Sequence, residues 1–478
     1  MKHLKAKGVS LLLVLTMLFS LSVSALAVSD SELQSAVDGS AAYMLKTVKI
    51  PQVGSIGGEW AALGLARSGC SVPQTYWDNY YATVEEYVKA CKGVLHDKKY
   101  TEYSRLIVAL SSIGADPTDV GGYNLLTALG DYDKTIWQGM NGPIWALIAL
   151  DSCSYDMPVN SASTTQATRQ MYIDRILECQ LSDGGWSLFG GTASASSGDG
   201  TSDPDITGMA LQALAKYQSQ AAVKKATDKA LTCMSTQQNS NGGFASWGTT
   251  NLESSVQMLV ALCELGISLD DTRFVKDGNT VLDNILSYRQ SDGSFQHTAN
   301  GSGSNQMASE QGFYGIISAL RAAEGKSSLY RMDDVTITVS GNAGVTTVGL
   351  PGKNADVKKV AITAPGTTFS DIVFSDNITA IEGLAARGII NGKSDGLFDP
   401  NATMTRAEFA AIVVRALGLT PKANEAFSDV TADKWYASYI GTASTYGLIN
   451  GVGDGKFNPN GTITRQQAAT LTARAAKL

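Results

Sequence analysis

Histidine is almost missing from this chain of 478 residues, which has only His3, His96 and His297. A structural or catalytic zinc site built on imidazole therefore has almost nothing to work with, and no C-x-x-C pair offers a thiolate substitute. A hydrolase triad is equally poorly supplied, because nothing near His96 or His297 marks a nucleophile. Basic residues are also in deficit, 37 Lys and Arg against 44 Asp and Glu, a formal net charge of −7. Nucleic acid is thus not an expected partner. Beyond the N-terminus there is no apolar run of the roughly 20 residues a bilayer requires.

The N-terminus has a shorter one. Lys2, Lys5 and Lys7 precede the apolar stretch Val9 to Leu21, and Ala25-Leu26-Ala27 supplies small residues for cleavage, so residues 1–27 read as a secretory signal peptide. The exported chain then carries six cysteines, Cys70, Cys91, Cys153, Cys179, Cys233 and Cys263. An even number in an oxidising compartment permits three sequential disulfides, while helical cores accept buried free thiols readily; both readings stand.

The dominant pattern is a repeat. Asp205 to Tyr217 is apolar on nearly every side, and a helix of that kind must be buried all round. Its central small residue and leucine recur as Gly64-Leu65, Ala109-Leu110, Ala149-Leu150, Ala213-Leu214, Ala261-Leu262 and Ala319-Leu320. An amphipathic helix is drawn before each copy, clearest at Ala221 to Gln238. The others are expected near 31–46, 74–95, 121–130, 165–181 and 279–290. Six wholly apolar helices alternating with six that have one wet face predict an inner ring wrapped by an outer one, an α6/α6 toroid over residues 28–330.

Three outer helices end alike, at Gln180-Leu-Ser-Asp-Gly-Gly-Trp186, Gln238-Asn-Ser-Asn-Gly-Gly-Phe244 and Gln290-Ser-Asp-Gly-Ser-Phe295. A glycine stops each helix in a left-handed turn and the aromatic folds back between hairpins. This pattern resembles the repeats of terpenoid cyclases and protein prenyltransferases. The same fold serves vertebrate cobalamin carriers, which bind rather than catalyse, and exported bacterial proteins similar to this one. The resemblance implies a fold more than an activity. Prenyltransferase chemistry would need an Asp, Cys and His zinc set that the two remaining histidines do not match. Asp203-Pro-Asp205-Ile-Thr207 resembles the D-x-D-D acid of cyclases, with Asp205 as the proton donor and Asp203 beside it. However, Ile206 stands where the polarising acid belongs, so Asp205 or Thr207 is read as a helix cap. No cofactor is implied, and a binding role is preferred to an enzymatic one.

Acids at or near the start of five inner helices, Glu59, Glu102, Asp205, Glu253 and Glu310, would share one rim of such a toroid. They either compensate helix dipoles or form an acidic mouth. Trp60, Tyr103, Trp145, Trp186, Trp247 and Tyr314 are its candidate aromatic neighbours, suited to a cationic or polyhydroxylated ligand.

Residues 331–372 read as a β-containing connector, with strands at 335–339, 345–350 and 357–362. A second repeat follows over 373–420 and 421–478. Phe374-Ser-Asp376, Gly388-Ile-Ile-Asn-Gly392, Gly396-Leu-Phe-Asp-Pro400 and Thr405-Arg-Ala-Glu408 recur as Phe427-Ser-Asp429, Gly447-Leu-Ile-Asn-Gly451, Gly455-Lys-Phe-Asn-Pro459 and Thr464-Arg-Gln-Gln467. The first copy is six residues shorter after its Phe-Ser-Asp and lacks a counterpart of Trp435-Tyr436. These blocks resemble the S-layer homology module, by which exported proteins attach to anionic polysaccharide of a Gram-positive-type cell wall. The resemblance implies that Arg406 and Arg465 contact the glycan, with Thr405, Glu408, Thr464 and Trp435 around them. The sequence thus predicts a surface protein anchored at its C-terminus, whose toroid binds a ligand or partner. A divergent cyclase and a passive adhesive protein are the alternatives.

Overall fold

The computed structural model describes residues 28–189, 200–338, 354–358, 360, 362–364, 369–372, 377–393 and 396–478. The expected signal peptide, the 345–350 strand and Phe374-Ser-Asp376 lie outside them. Of these, the residues within Met1–Val84 and Lys98–Ser340 form one compact unit and those within Glu85–Asp97 and Gly341–Leu478 the other. No described helix is long and apolar enough to cross a membrane.

The first unit is the α/α toroid. Its inner helices are α2 (Trp60–Arg67), α4 (Thr101–Ser112), α6 (Asn141–Ser152), α8 (Pro204–Leu214), α10 (Leu252–Glu264) and α12 (Gln306–Ala323). Every residue of α10 is buried, as its apolar circumference requires. The outer positions hold α1 (Asp30–Thr47), α3 (Gln74–Ala90, in this unit as far as Val84), α7 (Arg169–Glu178), α9 (Ala221–Gln237) and α11 (Val281–Ser287). The third outer position departs from expectation. A 3-10 helix at Leu125–Gly130 and the four-residue α5 (Tyr132–Thr135) stand where a full α-helix was expected.

Small residues set how closely the inner helices approach. A Cβ on Gly208 would come within 2.7 Å of the Gln257 backbone on α10, so only glycine allows that contact. Gln212 then bridges the same pair by donating Nε2 to the Gln257 carbonyl at 2.8 Å.

The repeated hairpin ends form a shared joint. Trp186, Phe244 and Phe295 are fully buried, and their N–H groups donate to first-turn hydroxyls of the following inner helix: Thr207 at 2.9 Å, Ser255 at 3.3 Å and Ser309 at 2.9 Å. Four residues before each hydroxyl stands the N-cap, Asp203, Asn251 or Asn305. The cap of α8 is therefore Asp203, not Asp205 or Thr207 as the sequence implies. On the other side of the joint, Gln180 Nε2 donates to the carbonyls of Gly184 and Ala226 at 2.7 and 2.8 Å. Gln238 does the same to Gly242 and Phe274 at 2.8 and 2.9 Å. Each glutamine thus ties its own turn to the next outer segment. The last joint closes the ring: a Cβ on Gly293 would meet the Gly39 carbonyl of α1 at 2.2 Å, and Ser40 Oγ donates to the Gly293 carbonyl at 2.8 Å.

All six cysteines are free thiols. Among the described residues the only strand pair is β1 (Phe244–Ser246) with β2 (Thr249–Asn251), an antiparallel hairpin inside the toroid. From the expected connector strands, Thr338 makes an isolated bridge to Ala115.

The second unit holds α13 (Ile378–Ala386), α14 (Arg406–Ala416), α15 (Ala437–Thr445) and α16 (Arg465–Lys477). Thr405 with Glu408 and Thr464 with Gln467 each form a capping box that starts its long helix. Asp429 accepts from the N–H groups of Phe457 and Asn458, both at 2.8 Å. In the first copy the residue making this bond pair is Asp371, which accepts from Phe398 and Asp399 at 2.8 and 2.6 Å. The counterpart of Phe427-Ser-Asp429 is therefore Phe369-Ser-Asp371, not Phe374-Ser-Asp376. The shortening inferred from the latter nearly disappears.

Truncating Gln238 to alanine leaves two buried carbonyls without a donor, so it should destabilise the toroid by about 1–3 kcal/mol. Urea unfolding followed by far-ultraviolet circular dichroism measures this, and an unchanged midpoint would refute the role assigned to the joint.

Candidate functional site

A cavity of about 230 Å³ lies where the N-terminal turns of the inner helices converge. Its walls are Ser55, Trp60, Thr101, Arg105, Asn141, Trp145, Asp205, Met209, Glu253, Gln257, Gln311 and Tyr314. The pairs Thr101 and Arg105, Asn141 and Trp145, Asp205 and Met209, and Glu253 and Gln257 are each four apart, so each pair occupies one face of its helix. Counted back from the central leucines, they fall at positions nine and five. That register explains which of the expected residues arrive. Asp205 and Glu253 stand at nine and Trp60 and Trp145 at five; Tyr314 reaches the wall from position six.

Glu59, Glu102 and Glu310 are out of register and do not line the cavity. Glu102 instead pairs with Arg105 at 2.5 Å. Glu310 is buried, its Oε1 accepting from Gly57 N–H at 2.8 Å and from Gln306 at 2.6 Å. Glu59 is buried as well, Oε1 accepting from Gly54 N–H at 2.8 Å, with Arg105 Nε 3.8 Å from Oε2. Two of the expected aromatic neighbours belong to the core: Trp186, whose Nε1 donates to the Ile176 carbonyl at 2.6 Å, and Tyr103, packed on Tyr100. Trp247 is 87 % exposed at the tip of the β1–β2 hairpin. It borders a second cavity of about 560 Å³ that shares Asn141, Asp205 and Met209 with the first. Arg105, Asn141, Gln257 and Gln311 are absent from the sequence-based set. Aligning the repeats on their leucines and reading columns five and nine finds all of them.

Burial dominates the electrostatics. It raises Glu59, Asp205 and Glu310 to about 7 each. Arg105 opposes the shift at Glu59, and the Asp203 charge adds to it at Asp205. The Ser254 hydroxyl pulls Asp205 the other way, while Asp205 Oδ1 has no hydrogen bond of regular geometry among the described residues. Burial also raises Glu253, against the pull of His297, whose Nδ1 is 2.7 Å from Glu253 Oε2. Trp60 packs against Trp145 and Tyr314, with ring centroids 5.1 and 5.9 Å away. Gln257 Nε2 donates to the Tyr314 hydroxyl at 2.8 Å. Several oxygens in and behind the wall have no hydrogen bond among the described residues: Glu59 Oε2, Asn141 Oδ1, Asp205 Oδ1, Glu253 Oε1 and Glu310 Oε2.

In the second unit, the Arg406 side chain is turned into the fold. It is 7 % exposed. Its Nε donates to the Phe457 carbonyl at 2.9 Å and Nη2 to that of Asn450 at 3.1 Å, with the guanidinium over the Phe457 ring. Glu408, besides capping, pairs with Lys393 at 2.7 Å. Thr464 and Arg465 are exposed. Trp435 is 56 % exposed beside Tyr436 and Tyr439.

The raised acids make stability fall with pH. The Glu59 proton is held more tightly when folded, so its contribution is complete below 4.5, the unfolded value, and lost as pH rises towards 7. Glu59→Gln cannot ionise and its amide oxygen still accepts from Gly54. The variant should therefore exceed the parent in stability at pH 8 by about 1–3 kcal/mol and show little gain at pH 4. Urea titrations at both values check the sign, and a parent more stable at pH 8 than its variant would contradict it.

The S-layer homology domain model matches residues 368–410 and 426–469, and the prenyltransferase α/α toroid domain model matches residues 130–245 and 206–310. The chain is 38 % identical to the exoglucanase XynX of Acetivibrio thermocellus over 143 residues, 28 % of this chain and 12 % of that protein. It is 32 % identical to a surface layer protein of Brevibacillus choshinensis over 124 residues, 25 % of this chain and 11 % of that one. These matches span about an eighth or less of the relatives' lengths. Among solved structures, the unsaturated glucuronyl hydrolase of Bacillus sp. GL1 is similar with a TM-score of 0.42 at 12 % identity, over 63 % of this chain and 99 % of that one. The chain thus joins a prenyltransferase-type α/α toroid domain to S-layer homology repeats, and those repeats place it at the bacterial cell wall.

Proposed function

We propose that the toroid binds a small polyhydroxylated ligand of monosaccharide size in its central cavity, while the C-terminal repeats hold the chain to wall polysaccharide. The observation that carries the reading is the surplus of buried acceptors: oxygens of Asn141, Asp205 and Glu253 at the wall have no hydrogen bond among the described residues. A ligand rich in hydroxyl donors answers that surplus. The Asp205 carboxyl, which burial raises to about 7, can both donate and accept, which suits hydroxyls rather than a fixed charge. Trp60 and Trp145 supply apolar faces for the C–H side of a sugar ring. A cationic ligand is disfavoured by Arg105, which already stands in the wall between Glu59 and Glu102. The cyclase alternative asks for an apolar chamber, whereas here only Trp60, Trp145, Met209 and the Tyr314 ring are of that kind.

For the wall, the exposed Trp435 with Tyr436 and Tyr439 forms an aromatic platform on which a glycan ring stacks, with Arg415 over Tyr439 at 4.7 Å.

Thermal melting of the whole chain against a panel of neutral monosaccharides, amino sugars and polyamines tests the first reading. We expect at least one sugar to raise the toroid transition, with Trp145→Ala weakening its binding roughly tenfold. A panel in which only polyamines stabilise, more strongly as pH rises, would replace the polyol reading by a cationic one. In co-sedimentation with purified wall polysaccharide, Trp435→Ala should lower the bound fraction at an unchanged melting temperature; undiminished retention would remove the platform from the binding surface.

A further inference from the structure

Among the described residues, the two C-terminal repeats meet through an interface present as one made copy and two open halves. In the made copy, the start of α14 in the first repeat docks on the Gly-x-Phe-x-Pro loop of the second. Arg406 N–H donates to the Gly461 carbonyl at 2.8 Å and Ala407 N–H to that of Pro459 at 3.0 Å. The Arg406 guanidinium adds its two bonds to the Phe457 and Asn450 carbonyls and covers the Phe457 ring at 4.5 Å. Thr405 and Thr462 pair antiparallel alongside.

A shift of 59 residues carries Arg406 to Arg465 and carries Asn391, Phe398 and Pro400 to Asn450, Phe457 and Pro459. The first repeat therefore has its own copy of the receiving loop, and that loop is already shaped. Asp371 holds it by the same bond pair with which Asp429 holds the other. Asp399 and Asn458 share a left-handed φ, 59° and 56°. Phe398 packs on Phe369 at 5.6 Å as Phe457 packs on Phe427 at 5.4 Å.

Only the occupancy differs. Phe457 and Pro459 are buried under the first repeat, while Phe398 is half-buried and Pro400 exposed. Arg406 is buried, Arg465 exposed.

We propose that these open halves join head to tail between copies of this chain, with Arg465 of one copy seated on the Phe398 loop of a second. The guanidinium would cover the Phe398 ring and donate to the carbonyls of Phe398 and Asn391, reproducing the made interface. The occupant is a second copy because both faces belong to one chain and each is the counterpart of a surface already paired within it. Such a contact is heterologous, so it builds rings or open arrays rather than a single isologous dimer. Repeated attachment points on one glycan then act together, and retention rises without any new glycan contact.

Sedimentation velocity of the full chain over a wide concentration range tests this. The average mass should rise with concentration. Arg465→Glu and Pro400→Arg, both at exposed positions, should each weaken association at least tenfold with unchanged circular dichroism, and Leu397→Arg in the same loop should act like Pro400→Arg. The decisive sample is an equimolar mixture. Arg465→Glu keeps an intact receiving loop and Pro400→Arg keeps an intact arginine, so together they should form a dimer that neither forms alone. A parent that stays monomeric throughout, or a mixture that does not pair, would overturn the proposal.

Discussion

A helix that is apolar on every side has one way to exist in water, which is to be surrounded. Six such helices in one chain surround one another only if they form a closed ring with a second ring outside, and closure requires the last repeat to reach the first. Here that contact is made where Gly293 meets the Gly39 backbone and Ser40 donates to the Gly293 carbonyl. The joints between repeats serve the same constraint. A left-handed glycine, a buried aromatic, a first-turn hydroxyl and a glutamine amide together satisfy the backbone groups that each sharp turn would otherwise leave unpaired.

The functional character of the centre follows from the same geometry. Inner helices pack by their middles through small residues, and their first turns splay polar side chains into the space left at one end. Burial raises both wall carboxyls, Asp205 to about 7 and Glu253 in the same direction, and raises Glu59 and Glu310 behind the wall. The site therefore has an excess of hydrogen-bond acceptors with little fixed negative charge. That combination is the physical basis for preferring a hydroxyl-rich ligand to a cation. Asp205 illustrates the division of labour: Asp203 takes the capping task through Asp205 and Ile206 N–H groups, which leaves the Asp205 carboxyl facing the cavity.

The C-terminal repeats place their two motif arginines in different surroundings. One of two equivalent guanidinium groups is spent inside the fold, satisfying main-chain carbonyls of the neighbouring repeat, and the other is left at the surface. Equivalent sequence thus has inequivalent roles, because the two copies differ in which neighbour stands next to them.

Periodicity alone determined the number of inner helices, their order and the alternation with wetter partners, since burial on all sides is written in the composition of each segment. It also revealed the C-terminal repeat, three of whose blocks recur at a spacing of 59 residues, while the link to the cell wall came from resemblance to a known module. It could not decide which acids reach the centre. Glu59, Glu102 and Glu310 differ from Asp205 and Glu253 only by one to three positions along their helices, but each residue turns a side chain by about 100°, so those few positions move a carboxyl from cavity to core or to an ion pair. Nor could it separate Phe369-Ser-Asp371 from Phe374-Ser-Asp376, identical as strings and five residues apart; only the backbone bonds to Phe398 and Asp399 distinguish them. The same holds for Arg406 and Arg465, whose local sequences are alike and whose exposure depends on the packing of residues about fifty positions away. Local pattern sets which helices form and bury themselves, while register around the ring and the presence of a neighbouring repeat, both long-range properties, decide which side chains remain free to act.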